Sequence, residues 1–201
     1  MDVDVNCCSL SGPDGIWLVD AGCGTAWGAA YGHARAAMVA AGIQPADVRR
    51  VILTHIHGDH ALGLIDGDKP YFPNAEIWVP EADLGFVARA DTRKSLPPAR
   101  QGGCDLAARL LDICGAMLRP IPMGMIAEDI EAIAMPGHTP GHAGYLIGSG
   151  DNRLLLWGDV LHVSGLQADD PEIAFVYDID SELAYATRVA ALAEAADHGW
   201  L

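Results

Sequence analysis

Positive charge is scarce in this sequence. Lys and Arg number 12 among 201 residues, against 27 Asp and Glu, for a formal net charge of −15. A surface that acidic repels phosphate backbones and anionic headgroups, which argues against nucleic acid and membrane as partners. Long apolar runs are missing too. None approaches the roughly 18 residues that a bilayer-spanning helix needs. The opening residues Met1-Asp2-Val3-Asp4 are acidic where a secretory signal is basic, so the expected location is cytoplasmic. Cysteine is present, but no Cys-x-x-Cys pair is. The odd set Cys7, Cys8, Cys23, Cys104 and Cys114 argues against a zinc finger and a disulfide framework alike. Small buried thiols are the expectation. There is no internal repeat, low-complexity tract or linker. His-Glu-x-x-His, P-loop and Gly-x-Ser-x-Gly patterns are absent. Gly22-x-Gly24 misses a dinucleotide loop, because the third glycine falls at Gly28 instead of position 27.

What remains is a globular balance, with 51% apolar and 19% charged residues. The length suits one domain over residues 1–201, built from alternating strands and helices. Strands are expected at Ile16–Asp20, Val48–Thr54, Ala75–Val79 and Ile130–Met135. A further pair, Tyr145–Ile147 and Arg153–Trp157, should flank the turn Gly148–Asn152. Helices are expected over Gly28–Ala41 with Gly42 as its C-cap, around Leu84, Val87 and Ala88, through Leu106, Leu110, Leu111 and Leu118, and over Ser181–Ala196. Both ends look abrupt, with a strand starting almost at Met1 and Gly199-Trp200-Leu201 resembling the start of another.

The chemistry concentrates in Thr54-His55-Ile56-His57-Gly58-Asp59-His60, directly after a buried strand. Histidine makes up only 8 of 201 residues, so three of them with an Asp in one short segment is improbable by chance. Residues two apart in an extended segment point the same way, so His55, His57 and Asp59 can converge. Gly58 permits a turn that swings His60 alongside them. Imidazole and carboxylate together suit zinc and similar divalent ions. Two further segments fit the same reading. Pro136-Gly137-His138-Thr139-Pro140-Gly141-His142 is a stiff loop that can hold an imidazole in place. Leu154-Leu155-Leu156-Trp157-Gly158-Asp159 is an apolar strand ending in a carboxylate, which needs a cation or donors to offset its desolvation.

His-x-His-x-Asp-His, then Pro-Gly-His-Thr-Pro-Gly-His, then Gly-Asp resembles the ordered signature of the metallo-β-lactamase-fold hydrolases. The strand and turn Leu18-Val19-Asp20-Ala21-Gly22 is similar to that superfamily as well. Three features resemble the N-acyl homoserine lactonase and methyl parathion hydrolase-like branch. They are Phe72-Pro73-Asn74-Ala75-Glu76, the long insertion between His60 and His138, and Trp157-Gly158-Asp159-Val160-Leu161-His162-Val163 with Gln167 and Pro171 beyond. Antibiotic-cleaving β-lactamases place Cys where this chain has Asp159, so that activity is discounted.

The resemblance implies an α/β fold, a four-layer αβ/βα sandwich of the metallo-β-lactamase type, cut at both ends. It implies two divalent metal ions, zinc by expectation. His55, His57 and His138 hold the first, Asp59 and His60 the second, and Asp159 bridges them. A final histidine of the family lies beyond the segment matching Asp197–Leu201, which leaves the second ion short of a neutral donor. His198 is weighed as a substitute against a surface or helix-dipole role. The implied reaction is cleavage of an ester-like bond, a lactone first, in a small-molecule substrate by a metal-activated hydroxide. Asp59 moves the proton, and His162, three residues after Asp159, polarises the carbonyl or forms a polar wall. His142 is expected behind a ligand, and His33 exposed. The alternatives are a glyoxalase II-like thioesterase and a degenerate metal-binding fragment with little activity. A homodimer is compatible with the reading.

Overall fold

The apolar run Val51-Ile52-Leu53 is fully buried, as its pattern requires, in the middle of a largely parallel sheet. The structure is a computed structural model that describes residues 3, 5–12, 14–28, 30–150 and 152–200. In chain order its strands and helices begin with β1 (Cys8–Gly12), β2 (Gly15–Val19), α1 (His33–Ala40), β3 (Val48–Ile52), α2 (Gly58–Ala61), β4 (Ile65–Asp66), β5 (Lys69–Pro70) and β6 (Glu76–Pro80). There follow α3 (Glu81–Val87), α4 (Thr92–Ser95), α5 (Gly102–Cys114), β7 (Leu118–Ile121), β8 (Gly124–Ala127) and β9 (Ile130–Ala134). The last are β10 (Ala143–Ser149), β11 (Asn152–Leu156), α6 (Ser164–Gln167) and α7 (Ser181–His198). The mixed α/β content is the one expected. The elements form two compact units.

The first unit spans Val5–Val79 and Val87–Pro120. Its sheet has the order β1-β2-β3-β6-β7. β1 and β2 form an antiparallel hairpin, while β2–β3 and β3–β6 are parallel. Alternate residues of these strands pack Leu18, Val51 and Ile77 into the core. On the same sheet, Trp17 and Trp78 approach to 5.7 Å between ring centroids. The Arg50 guanidinium sits 4.1 Å from each of the two rings. That stacking shields its alkyl stem and holds its charge between the carboxylates of Asp14 and Glu76, each 3.5 Å away.

The second unit comprises Val3, Pro80–Phe86 and the described residues from Ile121 onward. Its sheet, β11-β10-β9-β8, is antiparallel throughout. Met135, Leu146, Leu155, Val160 and Ala191 form its core, with Ile133, Trp157, Ala195 and Trp200 packed around them. α7 starts on Asp180, whose carboxylate accepts from the Leu183 backbone N–H at 3.0 Å. Among the described residues of this unit, a buried cation stands on α7. Arg188 is 1% exposed. Its guanidinium donates to the carbonyls of Val160 (2.7 Å), Pro171 (2.6 Å) and Ile173 (3.2 Å). It therefore ties the loop after β11 to α7. Arg188→Met should lower stability by about 3 kcal/mol, because the carbonyls it satisfies would lose their donors. Denaturant unfolding of both proteins measures this, and a loss under about 0.5 kcal/mol would show that those carbonyls find other partners.

The differences from expectation have local causes. α1 begins at His33, not Gly28, because Gly28 takes a positive φ of 81° and the chain turns there; Ala29 lies outside the described residues. Gly42 does close this helix, with its N–H on Val39 O at 3.0 Å. Leu118 opens β7 instead of ending a helix, since α5 stops at Cys114 and a 3-10 turn over Gly115–Met117 intervenes. β8 was not anticipated. The expected hairpin forms, with Ser149 opposite Asn152; Asp151 of its turn lies outside the described residues. Gly199 and Trp200 start no strand. Gly199 is left-handed at φ 63°, and the Trp200 N–H returns to Ala195 O at 3.0 Å, a helix C-cap. Leu201, and Met1, Asp2 and Asp4 at the other end, lie outside the described residues. Among the described residues no helix is long and apolar enough to cross a membrane.

Candidate metal centre

The first unit contributes His55, His57, Asp59 and His60. β3 ends at Ile52, and the chain runs on through Thr54 to His57, which caps the short helix α2 in an extended conformation (φ −121°, ψ 165°). The His55 ring lies 4.6 Å from that of His57 and 4.3 Å from that of His60. The histidines therefore converge, as their spacing predicts. Asp59 does so from the first turn of α2 and not from an extended segment, with Oδ2 3.6 Å from His60 Nε2. Gly58 serves a different purpose from the one expected. Its φ is not positive; a Cβ there would approach the Trp27 ring to 2.6 Å, so the position is held small by an indole packed over the loop.

Asp20 organises this loop. It ends β2 with a φ of 60°, the one positive φ outside glycine among the described residues. Its carboxylate, 3% exposed, accepts from Thr54 N (2.8 Å) and Thr54 Oγ1 (2.9 Å) and pairs with His60 Nδ1 at 2.7 Å. Thr54 Oγ1 also meets His55 Nδ1 at 3.0 Å. Both imidazoles are thus fixed through Nδ1, which leaves Nε2 as the nitrogen that could take a metal. Asp20→Asn should weaken metal binding by 10- to 100-fold while leaving the fold intact. Zinc titration against a chromophoric chelator reads this, and unchanged affinity would remove Asp20 from the support of the centre. Nearby, burial first and the Asp20 charge second push the Cys7 thiol up to about 12. It stays protonated and offers no thiolate.

The second unit contributes His138, His142, Asp159 and His162. The loop carrying His138 is clamped to the start of α7. Asp180 N donates to Gly137 O at 2.9 Å, Ile179 N to His138 O at 3.0 Å, and Thr187 Oγ1 to Pro136 O at 2.6 Å. His138 Nδ1 pairs with Asp178 Oδ1 at 2.9 Å. Asp178 is fully buried, and burial alone would raise its pKa. The His138 hydrogen bond and the Phe175 N–H outweigh that and hold its carboxyl below the usual range. Asp178 therefore orients His138 as Asp20 orients His60. His142 stands behind the loop as expected. Its Nδ1 donates to Met135 O at 3.0 Å, and its Nε2 accepts the Asp159 backbone N–H at 3.0 Å, so it locks the peptide that carries Asp159. Asp159 Oδ2 lies 3.3 Å from His138 Nε2 and 3.2 Å from His162 Nε2.

His198 is remote from this chemistry. It is exposed on the last turn of α7, bonded to Glu194 O at 3.0 Å and stacked on Trp200. His33 is exposed, as expected. Sequence reading missed the orienting roles of Asp20 and Asp178. Asp20 carried a signal, a carboxylate closing a buried strand; Asp178 carried none.

The donor chemistry fits divalent metal. Buried imidazoles are anchored through Nδ1 by carboxylate or hydroxyl, and carboxylates stand beside Nε2 atoms, so imidazole nitrogen and carboxylate oxygen are presented together. The comparisons agree with this chemistry. The family model of the Metallo-beta-lactamase superfamily matches residues 2–199. A probable metallo-hydrolase of Mycobacterium tuberculosis is 27% identical over 148 residues, 71% of this chain and 46% of that protein. The metallo-beta-lactamase domain-containing protein 1 of Xenopus laevis is 30% identical over 62% of this chain and 42% of its own length. The chain thus spans about half the length of the curated relatives it matches. Among solved structures, the hydrolase AbOPH of the beta lactamase superfamily superposes with a TM-score of 0.88 at 27% identity, over 97% of this chain and 69% of that one. AidC, a dizinc quorum-quenching lactonase, gives 0.84 at 26% identity, over 94% and 67%.

Proposed function

The chain belongs to the metallo-beta-lactamase superfamily, and on that premise we propose that it is a metal-dependent hydrolase of an ester-like bond, with a lactone as substrate. The resemblance to the family assigns His55, His57 and His138 to one divalent cation, Asp59 and His60 to a second, and Asp159 to both; within each unit the histidines and carboxylates lie close to one another. Zinc is the metal this donor set favours. The observation that carries the reading is the anchoring of His55, His60 and His138 through Nδ1, with carboxylates on two of the three. A surface histidine has no need of a buried carboxylate behind it. Bound cations of this kind activate water and polarise a carbonyl.

The chain's own residues do the rest. Asp20 and Asp178 keep the imidazoles of His60 and His138 aimed. Asp59, 26% exposed at its side chain, is the carboxylate with enough access to carry a proton to a leaving alkoxide. The lactone preference is supported by the likeness to AidC, whose structure holds the product N-hexanoyl-L-homoserine. The test uses the purified chain, stripped by chelator and reloaded with zinc, on N-acyl homoserine lactones, an aryl ester and a thioester. Zinc-dependent opening of the lactones, faster than thioester cleavage, is expected. Thioester preference would favour a glyoxalase II-like enzyme, and no zinc-dependent turnover of any substrate would overturn the reading.

A further inference from the structure

The side chain of His162 is 7% exposed. Its ring stacks on Phe175 with centroids 4.3 Å apart and planes 18° from parallel. Neither ring nitrogen has a hydrogen-bond partner among the described residues. Burying an imidazole with neither nitrogen hydrogen-bonded is costly, and the charged group beside it is Asp159, whose Oδ2 lies 3.2 Å from Nε2. The surrounding backbone is built with care. The Gln167 side-chain oxygen, fully buried, accepts the N–H groups of His162 (2.7 Å) and Val163 (3.1 Å). Its amide donates to Ile173 O at 2.9 Å, and Arg188 holds Val160 O two residues before His162.

The decisive geometry lies at Asp159. His162 Nε2 is 3.2 Å from Asp159 Oδ2, and His138 Nε2 is 3.3 Å from the same oxygen. The His162 approach does not have hydrogen-bond geometry. Two donor atoms on one tetrahedral ion, with bonds near 2.0 Å, stand about 3.3 Å apart. Both separations match that edge length.

We propose that His162 is itself a metal ligand, joining His138 Nε2 and Asp159 Oδ2 around one divalent cation. Proline-flanked loop and strand end then supply a His-His-Asp set from the second unit alone. The inference rests on the metal-centre reading and changes the part expected of His162, from a group facing substrate to a group holding the ion. It also assigns a purpose to Phe175 and Gln167, which fix the ring plane and the backbone of a ligand that lacks the carboxylate support given to His138.

The test reads metal, not turnover. Zinc is titrated into the apo wild-type chain, His162→Phe, His162→Gln and His33→Gln, in competition with a chromophoric chelator. The affinity for the tightest ion should fall at least about ten-fold in both His162 variants and stay unchanged in His33→Gln. Circular dichroism of the apo proteins checks that the variants fold. Long-range proton–nitrogen spectra of the wild type decide the matter even if they do not: at saturating zinc the His162 Nε2 signal should move with that of His138. A His162 signal unmoved by zinc, or His162 variants that bind zinc like the wild type, would overturn the ligand assignment and leave the metal centre standing. A wild-type chain that binds no zinc would overturn both.

Discussion

Asp159→Ala should cost both metal ions together and reduce hydrolysis by on the order of 10³-fold, equivalent to about 4 kcal/mol of transition-state stabilisation. The carboxylate closes the apolar strand β11 through a 3-10 turn at Gly158–Val160. Its Oδ2 stands within 3.3 Å of two imidazole Nε2 atoms, and its backbone N–H is pinned by His142. Asp178, the other carboxylate that meets His138, contacts it at Nδ1, on the far side of the ring from Nε2. Metal analysis of the purified variant, alongside zinc titration and lactone turnover, measures the effect. Retention of one ion at full affinity would show that Asp159 serves a single site and that its proposed bridging role is wrong.

Gly137→Ala should lower stability by about 4 kcal/mol, which for a domain of this size is a drop of roughly 10 °C in the thermal midpoint. Two costs combine. The residue has a φ of 129°, a conformation that side chains rarely adopt. A Cβ would also strike the backbone of Ala184 at the start of α7, where neither partner can yield without breaking the clamp that presents His138. Gly150→Ala separates the two contributions. It also has a positive φ, 59°, but open space around the new methyl, so it should lose only about 1 kcal/mol. Equal losses at the two positions would mean that backbone conformation alone accounts for the effect.

The candidate metal-binding residues could be proposed from the sequence because their information is local. The spacing of His55, His57, Asp59 and His60 and the Gly-Asp at Asp159 can be read within a few residues of a buried strand. The carboxylates that aim the imidazoles could not be read that way. Asp20 and Asp178 each lie 40 residues from the histidine they hold, and only folding brings them together. Element boundaries failed where hydrophobic pattern and backbone geometry disagree. Leu118 continues the apolar stripe of α5 but belongs to β7, and Trp200 has strand-like character but folds back onto a left-handed glycine. Gly58 was read as a hinge when its smallness answers to Trp27, a contact that no spacing rule anticipates. β8, a four-residue strand from Gly124 to Ala127, is too short to show a period.

The stack of Trp17, Arg50 and Trp78 has an optical consequence. Two indoles 5.7 Å apart and inclined at 59° couple their excited states, so the sheet of the first unit should carry a paired band of opposite signs in circular dichroism. Trp157 and Trp200 pack on the core of the second unit instead. The chain therefore contains a separate chromophore for each of its two units, and the order in which they melt can be followed without adding a label.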